Sequence, residues 1–151
     1  MSFLTDRPID LATLVASVQS PERGGVACFL GNVRNHHAGR SVLRLHYSAY
    51  GVMAEAECAR IVADAEGRWP VSVALQHRLG RLEVGETAVA VVTASAHRDA
   101  AFAACRFVID EVKRRAPIWK QEFYADGSTA WVDPTASAQP DPQTEPRLQH
   151  A

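Results

Sequence analysis

The sequence lacks a long apolar run and lacks a basic start followed by an apolar core. Its longest uncharged stretches fall well short of the roughly 20 apolar residues that cross a membrane. The chain begins MSFLTD, which does not have the pattern of a secretory leader. We therefore expect a cytoplasmic protein with no membrane association.

Cysteine is scarce. The three cysteines, Cys28, Cys58 and Cys105, stand far apart, and their odd number argues against a disulfide framework. Their spacing fits no zinc motif. We expect a reduced compartment, in which these cysteines are small buried apolar side chains.

The common nucleotide-binding and hydrolase motifs are absent. The chain contains no G-x-G-x-x-G, no G-x-x-x-x-G-K-[ST] and no G-x-S-x-G. His36 and His37 suggest a metal pair, but neighbouring residues on a strand point to opposite sides, and no further ligand lies at a suitable spacing. We predict no metal site and no cofactor, and we place both histidines in a solvated loop.

Charge is nearly balanced overall but unevenly distributed. Sixteen basic and 17 acidic residues give a net charge of −1, which argues against a general nucleic-acid binder. Two segments nevertheless carry only positive charge, one between Glu22 and Glu55 and one from Lys113 to Lys120. They suit a small anionic ligand or an acidic partner, unless both are simply solvated faces.

Hydrophobic periodicity and breaker residues predict the elements. Helices are expected over 9–19, 52–68 and 98–115, and strands over 26–33, 42–50, 71–79, 87–94, 118–124 and 131–132. Strands that follow one another in pairs favour an α+β fold with a mostly antiparallel sheet and packed helices. Half of the eight prolines follow residue 133, so we predict a single domain over 1–133 and a flexible tail over 134–151.

Finer expectations concern burial. The apolar run from residue 26 to 33 predicts a buried strand, residues 35–41 a mobile loop, and the segment between Gly80 and Gly85 a turn. Alternation after residue 42 puts Leu43 on the same face as two further apolar residues. Helical spacing predicts core positions for Met53 and Phe102.

His97 and Arg98 stand where a strand meets the longest predicted helix. The first N–H groups of a helix lack intrahelical partners and carry the positive end of its dipole, so this junction suits a phosphate or carboxylate. The alternative is that Ser95 or Asp99 caps the helix and that the two basic side chains are merely exposed.

Lys113 and Lys120 flank Pro117, which must end the helix between them. The expected geometry places one lysine in the last helical turn and the other on the next strand, both lining the corner. Repulsion and partial burial would then lower the pKa of one amine and make it a base or nucleophile. The alternative places Lys113 at the helix C-terminus as a simple counter-charge and Lys120 in water.

Five ordered motifs and a short final one give the chain a family resemblance. They are Gly31–His36, Tyr47–Ala54, His77–Glu86, Ser95–Arg98, Arg115–Glu122 and Trp131–Val132. Together they resemble the large, catalytic subunit of molybdopterin synthase. The resemblance extends over residues 24–132, and its specificity comes from the order and separation of the motifs.

The resemblance implies an α/β-hammerhead fold and a sulfurtransferase activity. That family converts a cyclic pyranopterin monophosphate, precursor Z, to molybdopterin in molybdenum cofactor biosynthesis. The sulfur comes from the C-terminal Gly-Gly thiocarboxylate of a ubiquitin-like small subunit. The large subunit is a homodimer within a heterotetramer. A non-catalytic anion-binding or assembly module on the same fold is the alternative, and an RNA-binding domain fits least well.

The resemblance also implies roles for individual residues. Lys113 and Lys120 fall on the family's catalytic lysines, as an acid/base and electrostatic pair. The residues implied to contact substrate are Asn32, Val33, Arg34, His97, Arg98, Lys113, Lys120, Gln121 and Glu122.

Two departures from the family pattern stand out. Asn32 replaces a basic residue or Thr found in many relatives. The sequence after residue 132 reads Asp133-Pro134-Thr135, where relatives often carry an Arg that reaches the neighbouring protomer. The contribution of that neighbour is therefore open.

Overall fold

A computed structural model describes residues 1–132, so the predicted tail and the predicted domain boundary at 133 lie outside the described residues. The elements are β1 (Leu4–Thr5), α1 (Leu11–Val18), β2 (Gly25–Asn32), β3 (His36–His37), β4 (Arg40–Ala49), α2 (Gly51–Arg68), β5 (Val71–Arg78), β6 (Gly80–Glu83), β7 (Thr87–Ser95), α3 (Arg98–Arg115), β8 (Ile118–Tyr124) and β9 (Thr129–Val132). None of these helices is both long and apolar enough to span a lipid bilayer.

The strands form two sheets. The first has the order β1-β5-β7-β2, with antiparallel pairing except between β1 and β5. The second has the order β3-β4-β8-β9, and β6 also pairs with β4. The expected α+β class with mostly antiparallel sheets is therefore confirmed. The chain passes from the first sheet to the second between β2 and β3.

Helices cover both faces of the first sheet. Leu14 and Val18 of α1 pack on small residues of β5 and β7 on one face. On the other face α2 and α3 pack against the sheet and extend the core toward the second sheet, with Ile61 and Val108 fully buried. Burying a side chain of this size stabilises the fold by about 1.5–3 kcal/mol, so this core fixes where both ends of α3 lie.

The C-terminus of α3 is held from two sides. Pro117 has no N–H group and ends the helix, and the Ala116 N–H donates to the Val112 carbonyl in the final turn. Arg115 donates to Glu57 at 2.7 Å and to Asp64 at 2.9 Å, both on α2. Arg115 thus fixes the corner against α2, and its positive charge is paired with these two carboxylates.

Three short strands, β1, β3 and β6, lie where no strand was predicted. The expected loop over 35–41 is a tight hairpin, with Ala38 at φ 52° and Gly39 at φ 78° in the left-handed region that such turns require. The first predicted strand pair does not form a hairpin, because β2 pairs with β7 and β4 pairs with β8. These pairings join segments distant in sequence, and local periodicity does not reveal them.

Several burial expectations were wrong. Strand β2 is an edge strand, so most of it is exposed, Cys28 included, and only Ala27 is buried. The other two cysteines are buried, as expected.

Leu43 is 50% exposed because the register of β4 against β8 shifts between residues 42 and 44, and Val42 takes the inward position. Met53 and Phe102 are exposed as well. Ala54 and Ala101, each a neighbour in sequence, are the residues that face the core.

Gly25 is required where β2 begins, because it touches the backbone at the start of α3. A Cβ atom there would lie 3.0 Å from the Arg98 nitrogen and 3.1 Å from the His97 carbonyl carbon. We predict that Gly25→Ala lowers the free energy of unfolding by about 1–3 kcal/mol, measured by urea denaturation. Gly67→Ala is the control, because a Cβ atom there meets nothing within 4 Å in α2 and should be neutral or stabilising. Equal effects of both substitutions would contradict this prediction.

Candidate active site

A cleft of about 140 Å³ opens where the two sheets meet the C-terminus of α3. It is lined by Gly31, Asn32, Val33, Arg34, His36, His37, Leu45, Tyr47, Ala88, Val89, Lys113, Lys120 and Glu122. Its polar residues come from the β2–β3 segment, β4, α3 and β8, so the cleft exists only when both sheets are assembled. Long-range pairing, and no single local motif, therefore builds the site.

The two lysines reach the cleft from opposite sides of the proline corner. Lys113 lies in the last turn of α3, and Lys120 lies on β8 opposite Tyr47 of β4. Both line the same cleft, in agreement with the geometry expected from Pro117. They are also the only lysines among the 151 residues, whereas all 14 other basic residues are arginines.

The cleft lowers the proton affinity of both amines. Partial burial lowers the pKa of Lys113, and the positive charges of Lys120 and Arg34 lower it further. Lys113 keeps an accessible surface, because it points into an open cleft and is not sealed inside the core. Burial also lowers the pKa of Lys120, Glu122 opposes this shift, and Arg34 adds to it.

Glu122 is a buried carboxylate with three neighbours. It is 2% exposed, and its Oε1 atom accepts hydrogen bonds from His37 Nδ1 at 2.6 Å and from the Tyr124 hydroxyl at 2.8 Å. Its Oε2 atom lies 3.7 Å from Lys120 Nζ. Alternation along β8 puts Lys120, Glu122 and Tyr124 on one face, so the strand itself brings this group together.

A neutral wall supports the charged cleft. Burial and the nearby Glu122 charge raise the pKa of Tyr47 to about 12. Burial lowers the pKa of His77 to about 4, and the Lys113 charge adds to the effect. The two rings pack edge to face at 4.9 Å, and His77 Nδ1 donates to the Arg78 carbonyl. Both groups are therefore neutral at pH 7 and shape the site without adding charge.

Asn32 and Val33 have few hydrogen-bonding groups left for a ligand, because several are already paired within the fold. The Thr87 hydroxyl donates to Asn32 Oδ1 at 2.7 Å, so this bond occupies one lone pair of the oxygen and leaves the amide N–H groups for a ligand. Val33 donates its N–H to Glu86 and accepts from Gly85 through its carbonyl. The N–H and carbonyl groups of Val33 are thus both hydrogen-bonded within the protein, and its buried side chain shapes the cleft.

Three of the predicted substrate-contacting residues do not line this cleft. Arg98 begins α3 and Lys113 lies 15 residues later, which places them about 22 Å apart along the helix axis at 1.5 Å per residue. His97 is the exposed N-cap residue of the same helix end. Gln121 lies on the face of β8 opposite to Lys120 and Glu122.

The alternative capping by Ser95 is not observed. Ser95 is buried, and its hydroxyl donates to the Pro70 carbonyl at 2.9 Å. His97 occupies the N-cap position without a side-chain capping bond, and Asp99 lies in the first turn. The helix end therefore leaves His97 and Arg98 exposed to solvent.

His36, His37 and Tyr47 line the cleft but were not predicted to do so. The signal for Tyr47 was its place in the alternation of β4, directly opposite Lys120. The two histidines were predicted to lie in a solvated loop, because the local sequence does not reveal that the hairpin brings His37 to Glu122, 85 residues away. Within residues 1–132, no group of three or more His, Cys, Asp or Glu side chains could hold a metal ion.

Comparison with known proteins decides the family. The MoaE protein family matches residues 4–115, about three-quarters of the chain. The chain belongs to the MoaE family. The molybdopterin synthase catalytic subunits of Nostoc sp. and Pyrococcus abyssi are 42% and 43% identical to it. These matches cover 85% and 86% of this chain and 79% and 89% of those proteins. The resemblance seen in the motifs is thus confirmed.

Solved MoaE-like structures share this fold. Molybdopterin synthase from Staphylococcus aureus has a TM-score of 0.83 at 30% identity, covering 87% of this chain and 96% of its own. The MoaE protein from Burkholderia ambifaria has a TM-score of 0.76 at 36% identity, covering 97% and 95%. A complex of subunits 1 and 2 of molybdopterin-converting factor from Helicobacter pylori, at 20% identity and a TM-score of 0.70, shows the same fold.

Arg34 is the cation that links the two lysines of this MoaE-family chain electrostatically, so its removal should be measurable at both. We predict that Arg34→Ala raises the pKa of Lys113 and of Lys120, because a nearby positive charge that disfavours their protonated forms is lost. Carbon-13 labelling at lysine Cε gives only two lysine signals, and NMR titration reads each pKa directly.

Arg114→Ala is the matched control for this titration. Arg114 is exposed and pairs with Glu111 outside the cleft, so its loss should leave both lysine pKa values nearly unchanged. If Arg34→Ala moved neither pKa, the electrostatic linkage within the cleft would be refuted.

Proposed function

We propose that this chain is the catalytic subunit of a molybdopterin synthase and acts as a sulfurtransferase in molybdenum cofactor biosynthesis. Its substrate would be the cyclic pyranopterin monophosphate precursor Z. Its sulfur donor would be the C-terminal Gly-Gly thiocarboxylate of a ubiquitin-like small subunit. The observation that carries the proposal is that the chain's only two lysines line one cleft with Arg34, where the pKa of each amine is lowered.

Arg34 is suited to the substrate's phosphate. Among the ion pairs of residues 1–132 none involves Arg34, so its guanidinium is available for an anion. A guanidinium binds phosphate oxygens through two parallel hydrogen bonds, and the neighbouring ammonium groups add attraction. Asn32, which lines the same cleft, would donate through its amide to the same ligand.

The lysines are suited to the transfer itself. In each transfer the thiocarboxylate sulfur forms a bond to a pterin side-chain carbon that carries oxygen, and the bond from that carbon to oxygen breaks, so that the oxygen leaves as water or stays on the phosphate. Water then cleaves the bond between the sulfur and the glycine carbonyl carbon. The water oxygen stays on the glycine as a carboxylate, and the sulfur stays on the pterin as a thiol. Negative charge develops on the carbonyl oxygen during cleavage, and a protonated lysine stabilises it. The other amine, with its lowered pKa, exchanges the proton.

His97 and Arg98 enter the proposal through a second copy of the chain. They lie about 22 Å from Lys113 along α3, too far to share a small substrate with it in one protomer. A homodimer in which the start of one α3 approaches the cleft of its partner would bring them together. With one small subunit on each protomer the assembly is a heterotetramer. The Helicobacter complex of two subunits supports a small-subunit partner.

We predict that Lys120→Ala folds normally but lowers product formation at least about 100-fold, because an electrostatic and proton-transfer group is lost from the transition state. The variant is mixed with thiocarboxylated small subunit and precursor Z, and molybdopterin is quantified by chromatography with mass detection. Arg114→Ala, on the same corner but paired with Glu111, should keep wild-type turnover.

Two results would oppose this assignment. Normal turnover by Lys120→Ala would remove Lys120 from the mechanism. A wild-type chain that binds precursor Z and the small-subunit tail but never yields a dithiolene would identify a non-catalytic anion-binding module instead.

Complementation between two inactive variants tests the shared site. In a dimer of Lys120→Ala with Arg98→Ala, one of the two sites has both an intact cleft and an intact partner helix end. Equal mixing with random exchange makes half of the dimers mixed, so activity should recover to about a quarter of the wild-type level. Activity is measured before and after subunit exchange, with each variant alone as the control. No recovery, despite mass-spectrometric detection of the mixed dimer, would refute the shared site.

A further inference from the structure

Among the polar residues of 1–132 that line the cleft, His37 lies outside the motifs and has no role in the proposed chemistry. It lies on the two-residue strand β3 and is half-buried, and its Nδ1 atom lies 2.6 Å from Glu122 Oε1. The Tyr124 hydroxyl donates to the same oxygen at 2.8 Å. One oxygen of Glu122 is therefore held by two donors, while the other faces Lys120.

The distance between Lys120 and the other oxygen of Glu122 shows how strongly the two groups interact. Lys120 Nζ lies 3.7 Å from Glu122 Oε2, close enough for charge attraction but too far for a good hydrogen bond. A flexible carboxylate beside an ammonium group would normally close to about 2.7–2.9 Å. Two donors on the far oxygen resist that closure by holding the carboxylate in place.

The surrounding fold keeps both donors fixed. The β3–β4 hairpin turns through Ala38 and Gly39 in the left-handed region, which sets the direction in which His37 emerges. The guanidinium of Arg40, the next residue, stacks 3.6 Å above the Tyr124 ring. The hairpin that carries His37 is thus clamped to the residue that supplies the second donor.

We propose that His37 is a positioning residue that, together with Tyr124, holds Glu122 away from Lys120 and so leaves the amine free to exchange its proton. The inference rests on the proposed function for its kinetic consequence. Its structural consequence, the state of Lys120, can be measured without any turnover. His37 acts through Glu122 and touches no reacting atom in this role.

The charges around Lys120 set the direction of the effect. Within residues 1–132, the titratable or charged residues that share its cleft are Arg34, His36, His37, Tyr47, Lys113 and Glu122. Burial is the largest cause that shifts the Lys120 pKa, and it lowers the value; Glu122 raises the pKa, and Arg34 lowers it further. If Glu122 moves closer, the attraction grows, so Lys120 should bind its proton more tightly and exchange it less readily at neutral pH.

The test uses three histidine variants. His37→Ala removes the donor, His37→Asn replaces it with a side-chain N–H group, and His46→Ala is the control because His46 is exposed on β4 and lies outside the cleft. Thermal unfolding first confirms that each variant is folded. The Lys120 pKa is then read from its carbon-13 Cε signal, which is assigned by its absence in Lys120→Ala.

We expect His37→Ala to raise the Lys120 pKa, lower kcat about tenfold with little change in KM, and move the rising limb of the pH–rate profile to higher pH. His37→Asn should restore most of both values, and His46→Ala should change neither. An unchanged Lys120 pKa in folded His37→Ala would overturn the inference, as would a raised pKa that His37→Asn did not correct. If the wild-type assembly made no molybdopterin, the proposed function would fail while the Lys120 titration still decided the role of His37.

Discussion

Repulsion among three cations in one cleft is the constraint on which the site depends. Partial burial in the cleft is the largest cause that lowers the pKa of both amines; the Arg34 charge lowers both further, and the Lys120 charge lowers that of Lys113. Unless the surrounding fold were rigid, these side chains would move apart or the amines would lose their protons. The rigidity comes from the helix core behind Lys113 and from the strand pairing of β8 behind Lys120. The fold thus holds in place a charge arrangement that is unfavourable by itself and that suits the anionic substrate proposed above.

The carboxylates near the cleft are arranged so that they do not cancel this charge. Arg115, next to the corner, is neutralised by Glu57 and Asp64 on the α2 side, away from Lys113. Glu122 is the one acidic residue among 1–132 that lines the cleft, and one of its oxygens accepts hydrogen bonds from His37 and Tyr124. Because the negative charge is either outside the cleft or restrained within it, the cationic groups remain available for the phosphate and the developing oxyanion of the proposed reaction.

Local sequence signals predicted the part of the site that depends on one corner. The helix over 98–115 and the strand over 118–124 were predicted with the bounds that the structure shows. Pro117 must end the helix, and the segments on either side of it have clear helical and strand periodicity. The partners of that corner were not predictable in the same way. The His37 hairpin, the shift that exposes Leu43 and the edge position of β2 all follow from strand pairings across the chain.

The length of α3 links the site to quaternary structure. This helix contributes Lys113 at one end and carries His97 and Arg98 at the other, and a straight helix of 18 residues cannot bring its ends together. Gly25 is packed against the helix start, so that end is fixed as firmly as the proline corner. If both ends serve one reaction, symmetry offers the simplest solution, because a two-fold axis pairs each helix start with the cleft of the other copy. The same rigid element would then position groups in two sites, and a protomer alone would hold only half of each.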